Sequence, residues 1–242
     1  MNLLILDAGH SFNTAGKRNE KENFYEWQFN NDMQYKIKSR CEDLGIKVFL
    51  TNPNPSTVLD IPLTTRANLA NDYWVKNNKP KSIFISLHAN AFSNSSARGT
   101  ETYIASNASS TSKNFAKVLN DNIVKAMKEL DINAKDRGVK SENFTVIYKA
   151  SMPSVLCEYG FYSNLDDLKI LKNNKDELVE ATVKAICNYF NIEYKEKVKE
   201  NSFNGNTLYA VCVGAYKDKN KAESIAKELK EKGYTSTYLI IR

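Results

Sequence analysis

The sequence predicts an α/β fold: a mixed, mostly parallel sheet flanked by helices on both faces, followed by a small C-terminal β-α-β unit. Three observations predict it. Short apolar runs such as Leu3-Leu4-Ile5-Leu6 and Ile83-Phe84-Ile85-Ser86-Leu87 read as strands buried on both faces, since they lack polar alternation. Segments of helical periodicity separate these runs, which is the rhythm of parallel β-α-β units. The pattern then breaks into a polar stretch at 195–206 before it resumes.

In chain order, residues 2–8 and 46–50 read as strands, with a helix over 22–44 between them that Gly45 stops. A helix from Leu63 to Val75 leads into a strand over 82–88, and Glu101 to Ile104 forms another strand. Phe115, Val118, Leu119, Ile123, Met127 and Leu130 make an apolar stripe, so 111–130 is a helix packed on the sheet. Val155 to Glu158 is a short strand after Pro153, and 176–190 is a further amphipathic helix. The Ser/Asn/Thr-rich stretches 93–98 and 105–112 read as loops. This divides the chain into a domain over 1–194, a linker over 195–206 and a unit over 207–242 with a strand at 208–213, a helix at 219–232 and a strand at 235–241.

Composition narrows the function. With 13 Tyr, 11 Phe and 2 Trp the chain has ample material for a packed core. Its net charge of +6, from 34 Lys/Arg against 28 Asp/Glu, favours an anionic partner such as cell wall, nucleic acid or a membrane surface, and solvated Lys on helix faces is the plain alternative. No stretch approaches the ~18–20 apolar residues of a membrane span. No nucleic-acid-binding motif accompanies the small basic excess. The N-terminus enters a strand directly and shows no signal peptide, so synthesis in the cytoplasm without one is expected. Cys41, Cys157, Cys187 and Cys212 are far apart and read as small buried apolar residues.

The two histidines carry the strongest chemical signal. His10 and His88 are the only ones in 242 residues, and each closes an apolar strand. Ligands in open α/β sheets bind beyond the carboxyl ends of strands, so two imidazoles at two such ends can converge on one metal ion. Glu158 ends a third strand at the same edge. Imidazole suits zinc better than calcium, and catalytic zinc takes three protein ligands. Asp7, Glu20, Glu22, Glu26, Glu101 and Glu158 are all available as the third donor, and composition does not choose among them.

At this point ordered motifs are recognisable. "LILDAGH", "TTRANLAN", "SLHANA", "GTETY" and "DRGVKSENFTVIYKASMPSVLCEYGFYSN" together resemble the zinc-dependent N-acetylmuramoyl-L-alanine amidases of bacterial cell walls, over nearly all of residues 2–192. The resemblance implies zinc held by His10, His88 and a Glu at the start of the first helix, with Glu158 as catalytic base. Counting back from Gly45 along a helix of the family's length gives Glu26 as that ligand. The Gly-rich stretch usual in the family before it is replaced here by "SFNTAGKRNEKENFY".

The implied reaction is hydrolysis of the amide between N-acetylmuramic acid and L-alanine in peptidoglycan, by a phage endolysin or a mother-cell lytic enzyme acting on the wall after release or lysis. Arg66 and Asn90 are candidate substrate contacts, Arg66 because a guanidinium matches a stem-peptide carboxylate. Competing readings are a non-catalytic peptidoglycan-binding protein and a zinc peptidase cutting within the stem peptide. Residues 207–242 resemble one half of a sporulation-related wall-binding (SPOR-like) repeat. A unit of that size lacks a sufficient core of its own, which predicts a homodimer formed through it.

Overall fold

In a computed structural model the structure describes residues 1–196 and 218–233, and the chain divides into a unit over Met1–Lys197 and a second over Val198–Arg242. The first unit is built on a six-stranded sheet. Its strands are β1 (Asn2–Ala8), β4 (Lys47–Leu50), β5 (Lys81–Asn90), β6 (Thr100–Ile104), β7 (Asp136–Ser141) and β8 (Ser154–Phe161), in the spatial order β4-β1-β5-β8-β6-β7. The first four in that order run parallel; β6 is antiparallel to β8 and parallel to β7. The mixed, mostly parallel sheet is therefore as expected.

Helices cover both faces. On one side lie α1 (Glu26–Asp43), α3 (Ser110–Leu130), α5 (Leu165–Asn173) and α6 (Lys175–Phe190), packed on Leu4, Leu6, Ile83, Ile85 and Leu87. The α1 contribution is Phe29, Met33, Ile37 and Cys41, spaced four apart so that they stack on one helix face. On the other side α2 (Leu63–Lys76) and α4 (Thr145–Tyr148) pack through Ala70, Val146 and Ile147 on Leu3, Ile5 and Phe84. Alternate residues of β1 thus serve the two cores, which is why the strand is apolar throughout. No described helix is long and apolar enough to cross a membrane.

The sequence expectations need four adjustments. The first helix begins at Glu26 rather than 22, because β2 (Arg18–Asn19) and β3 (Phe24–Tyr25) pair as a small antiparallel hairpin in front of it. Asn23, in the turn, has φ 48°, a conformation a helix interior does not allow. The strand β7 and the helices α4 and α5 are additional. The polar run of β7 has an exposed or half-buried side chain at every position, as an edge strand allows, and so shows no apolar periodicity. The α5 helix starts on an Asn164 side chain that accepts from the amides of Asp166 and Asp167. Cys41, Cys157 and Cys187 are buried free thiols.

In the second unit, α7 (Lys219–Glu231) is capped by Asp218, whose side chain accepts from Asn220 and Lys221. The flanking strands expected at 208–213 and 235–241, most of the linker, Cys212 and, apart from 218–233, the 207–242 unit expected to form a homodimer lie outside the described residues.

Candidate active site

The site is assembled from the carboxyl ends of parallel strands. The β1 strand ends at Ala8, and the chain turns sharply through Gly9 to His10, which adopts φ 66°. A left-handed conformation is unfavourable for a non-glycine residue and persists only where neighbours enforce it. Those neighbours are polar. Asn52 Nδ2 donates to the carbonyls of Ala8 and His10 at 2.9 Å each, and Asn30 Nδ2 donates to Gly9 O at 3.0 Å. Gln34 Nε2 in turn donates to Asn52 O at 2.9 Å. The α1 helix and the loop after β4 thereby fix the turn that aims His10.

His88 lies near the end of β5, directly paired with Glu158 of β8 in the parallel register. Its imidazole stands over Gly9: a Cβ built on Gly9 falls 2.1 Å from His88 Cε1, so only glycine leaves room for this ring. The two imidazoles meet edge to face, with centroids 5.1 Å apart. Glu26, the first residue of α1, reaches both: its Oε1 lies 3.0 Å from His88 Nδ1 and 3.3 Å from His10 Nε2. Burial works against the Glu26 charge, but bonding and attraction to both histidines outweigh it and hold its pKa down to about 2.

One donor atom from each of His10, Glu26 and His88 lies within 4.8 Å of the others, close enough to hold one metal ion. Two imidazole nitrogens and one carboxylate oxygen match a three-ligand catalytic zinc site that leaves a fourth position open. Of the other acids available for the third position, Asp7 accepts from Thr51, Ser86 and Arg66 inside the sheet. Glu20 pairs with Arg18, and Glu22 lies near Lys172 at 3.9 Å.

Glu158 stands beside this trio on the neighbouring strand. Its Oε2 is buried without a hydrogen-bond partner among the described residues. Burial, followed by the negative charges of Glu26 and Glu101, pushes its pKa well above the usual carboxyl range, with Lys17 opposing. A carboxylate so raised is a stronger proton acceptor than a solvated one.

Arg66 is a correction. It is 1% exposed, and its guanidinium is consumed inside the fold by Asp7, Asp60 and the carbonyls of Ile61 and Ala8. It ties α2 to β1 and does not face a substrate. Asn90 is half-buried and directs its Nδ2 to Glu101 at 2.7 Å, while its Oδ1 accepts from Ala91 N. Tyr159 is buried, its hydroxyl bonded to Thr182, and Phe161 is also buried. Sequence reasoning missed Gly9 and the Asn30–Gln34–Asn52 network, whose partners come from separate elements. It also weighed Glu101 only as a metal ligand, although it anchors a cluster of its own.

Known proteins resemble this chain in sequence and in fold. The profile of the family described as N-acetylmuramoyl-L-alanine amidase matches residues 4–188. The sporulation-specific N-acetylmuramoyl-L-alanine amidase of Bacillus subtilis (strain 168) is 25% identical over 245 residues, covering 98% of this chain and 84% of its own. The endolysin of Bacillus phage SPP1 is 29% identical over 197 residues, covering 80% and 68%. Among solved structures, the catalytic domain of the N-acetylmuramoyl-L-alanine amidase CwlV from Bacillus (Paenibacillus) polymyxa superposes with a TM-score of 0.67 at 28% identity, over 80% of this chain and all of that one.

Proposed function

The chain belongs to the N-acetylmuramoyl-L-alanine amidase family, enzymes that hydrolyse the amide joining N-acetylmuramic acid to L-alanine in peptidoglycan, and we propose that His10, Glu26 and His88 hold one zinc ion here while Glu158 moves the proton. The observation that carries this reading is the convergence of two imidazole nitrogens and one carboxylate oxygen beside a buried, unpartnered Glu158 oxygen.

Amides are poor electrophiles, so hydrolysis needs both an activated water and a polarised carbonyl. Zinc in such a site supplies Lewis acidity to the carbonyl and acidity to water. The chain's own residues do the rest. Glu158 accepts a proton from the attacking water and delivers it to the nitrogen of L-alanine as that group leaves as an amine. The enforced His10 turn and the Gly9 cradle fix both imidazoles before substrate arrives.

Residues 207–242 we read as a wall-binding half-repeat that pairs between two chains, and the enzyme as one made in the cytoplasm that meets the wall at lysis. Sedimentation of the full chain at twice its 27.4 kDa mass tests the pairing, and a monomer at micromolar concentration would refute it.

The test of function is release of free L-alanine amino termini from purified peptidoglycan, with and without a zinc chelator, by the wild type and Glu158→Ala. Chelator-sensitive release that the variant loses is the expected result. Release of peptides with any other new amino terminus would favour a peptidase, and no release from any wall type a binding protein.

A further inference from the structure

Glu101 lies opposite Glu158 in the β6–β8 pairing, one strand away from the proton carrier. It is 1% exposed and saturated. Its Oε1 accepts from Asn90 Nδ2 and from the Tyr103 hydroxyl, at 2.7 Å each. Its Oε2 accepts from Arg137 Nε and Lys140 Nζ, both on β7 and both about one-third exposed. The Arg137 guanidinium also lies 4.9 Å from the centroid of the Phe161 ring, three residues beyond Glu158. One buried carboxylate thus holds two cations at the rim of the site.

The cluster carries one positive charge more than it neutralises, and the Arg137 Nη atoms have no partner among the described residues. Both cations line an open groove of about 510 Å³, together with Ser96, Arg98, Lys135 and Asp136. Arg98 is committed to Asp131, Asp166 and Asp167, and Asp136 to Asn120 and the Gly138 amide. Arg137, Lys140 and Lys135 are what an entering ligand meets. A guanidinium fixed through Nε still presents its Nη edge, the geometry that grips a carboxylate.

We propose that Arg137 and Lys140, seated on Glu101, form a subsite for the glutamyl α-carboxylate of the stem peptide, positioned so that the muramyl amide reaches Glu158. This rests on the amidase reading for the substrate class. It supplies the cation that Arg66, enclosed in the fold, does not. Glu101 is a positioning residue: it aligns both cations in advance, so little ordering remains to be done on binding.

The test uses two muramyl tripeptides that differ at one group: N-acetylmuramyl-L-alanyl-γ-D-glutamyl-L-lysine and its isoglutamine counterpart, in which the glutamyl α-carboxylate is an amide. Binding is measured calorimetrically to Glu158→Gln, and hydrolysis to wild type. A charge-assisted bond lost should appear as about a 10- to 100-fold preference for the acid, read in binding and in KM. The preference should vanish in Arg137→Gln/Lys140→Gln. Equal affinity for acid and amide, or a preference that survives the double substitution, overturns the subsite. The comparison of the two tripeptides needs no rim substitution, so misfolding of the double variant does not blunt it. Preferential binding without release of L-alanine termini would leave the subsite standing and fell the amidase reading. Release without preference would do the reverse.

Discussion

Gly9 and His10 show how much chemistry two adjacent residues can be made to carry. Gly9 is kept small by a ring from another strand, and His10 is held in a conformation that costs on the order of 1–3 kcal/mol in its absence of support. Gly9→Ala should therefore displace His88 rather than unfold the protein, weakening zinc binding by about 10- to 100-fold, as when a ligand loses its orienting contacts. Competition with a chromophoric chelator reads this directly. Glu158→Gln should do the opposite, keeping the metal but losing about 10²–10⁴ in hydrolysis rate. The histidines were legible because they are the sole pair and each follows an apolar strand. Glu26 was reachable only by counting along a helix from Gly45. The role of Gly9 was invisible, since the ring that occupies its Cβ position lies 79 residues further along the chain.

Between elements, buried charge does the joining. Arg66 of α2 and Asp7 of β1 are each 1% exposed and 3.3 Å apart, with Asp60 as a second partner for the arginine. Removing one member of such a pair strands the other in a poorly solvating interior. Arg66→Met is thus expected to destabilise the protein by about 3–5 kcal/mol in urea denaturation, while the folded fraction keeps the wild-type KM. A raised KM at full stability would restore the substrate role first assigned to Arg66. Glu101 makes a pH prediction. Burial opposes its charge, but Lys140, Arg137 and Tyr103 overcome this and lower its pKa below the ordinary 4.5. Its contribution to stability is therefore complete above that value and is lost as pH falls below it. Glu101→Gln should flatten the loss of stability between pH 5 and 3, measured as urea midpoints on the metal-free protein. The strands and long helices of this layer were readable because each buries a periodic apolar face. The β7 strand was not, because "DRGVKS" puts no side chain into a core and earns its place by what Arg137 and Lys140 hold.

For the molecule as a whole, the parallel sheet brings groups from residues 10, 26, 88 and 158 to one edge, so site and fold stand or fall together. A ligand that binds only the folded state adds stability by mass action, about 2.7 kcal/mol at a hundred times its dissociation constant. Zinc should accordingly raise the unfolding temperature, a chelator should lower it, and His10→Ala should remove the difference in a thermal scan. The fold class followed from the sequence because β-α-β spacing dictates it. The place of β8 in the sheet did not, since local periodicity does not say which strands are neighbours. That place governs how the enzyme comes into being. The β8 strand enters between β5 and β6, which do not pair with each other, so a chain still on the ribosome holds two unjoined pieces of sheet until residue 161 has emerged. The three residues proposed to hold the metal are all translated by residue 88, whereas Glu158, the proposed proton carrier, arrives 70 residues later on the strand that closes the gap. The set of residues proposed to carry the reaction is therefore incomplete until the strand that joins the two pieces of sheet is in place.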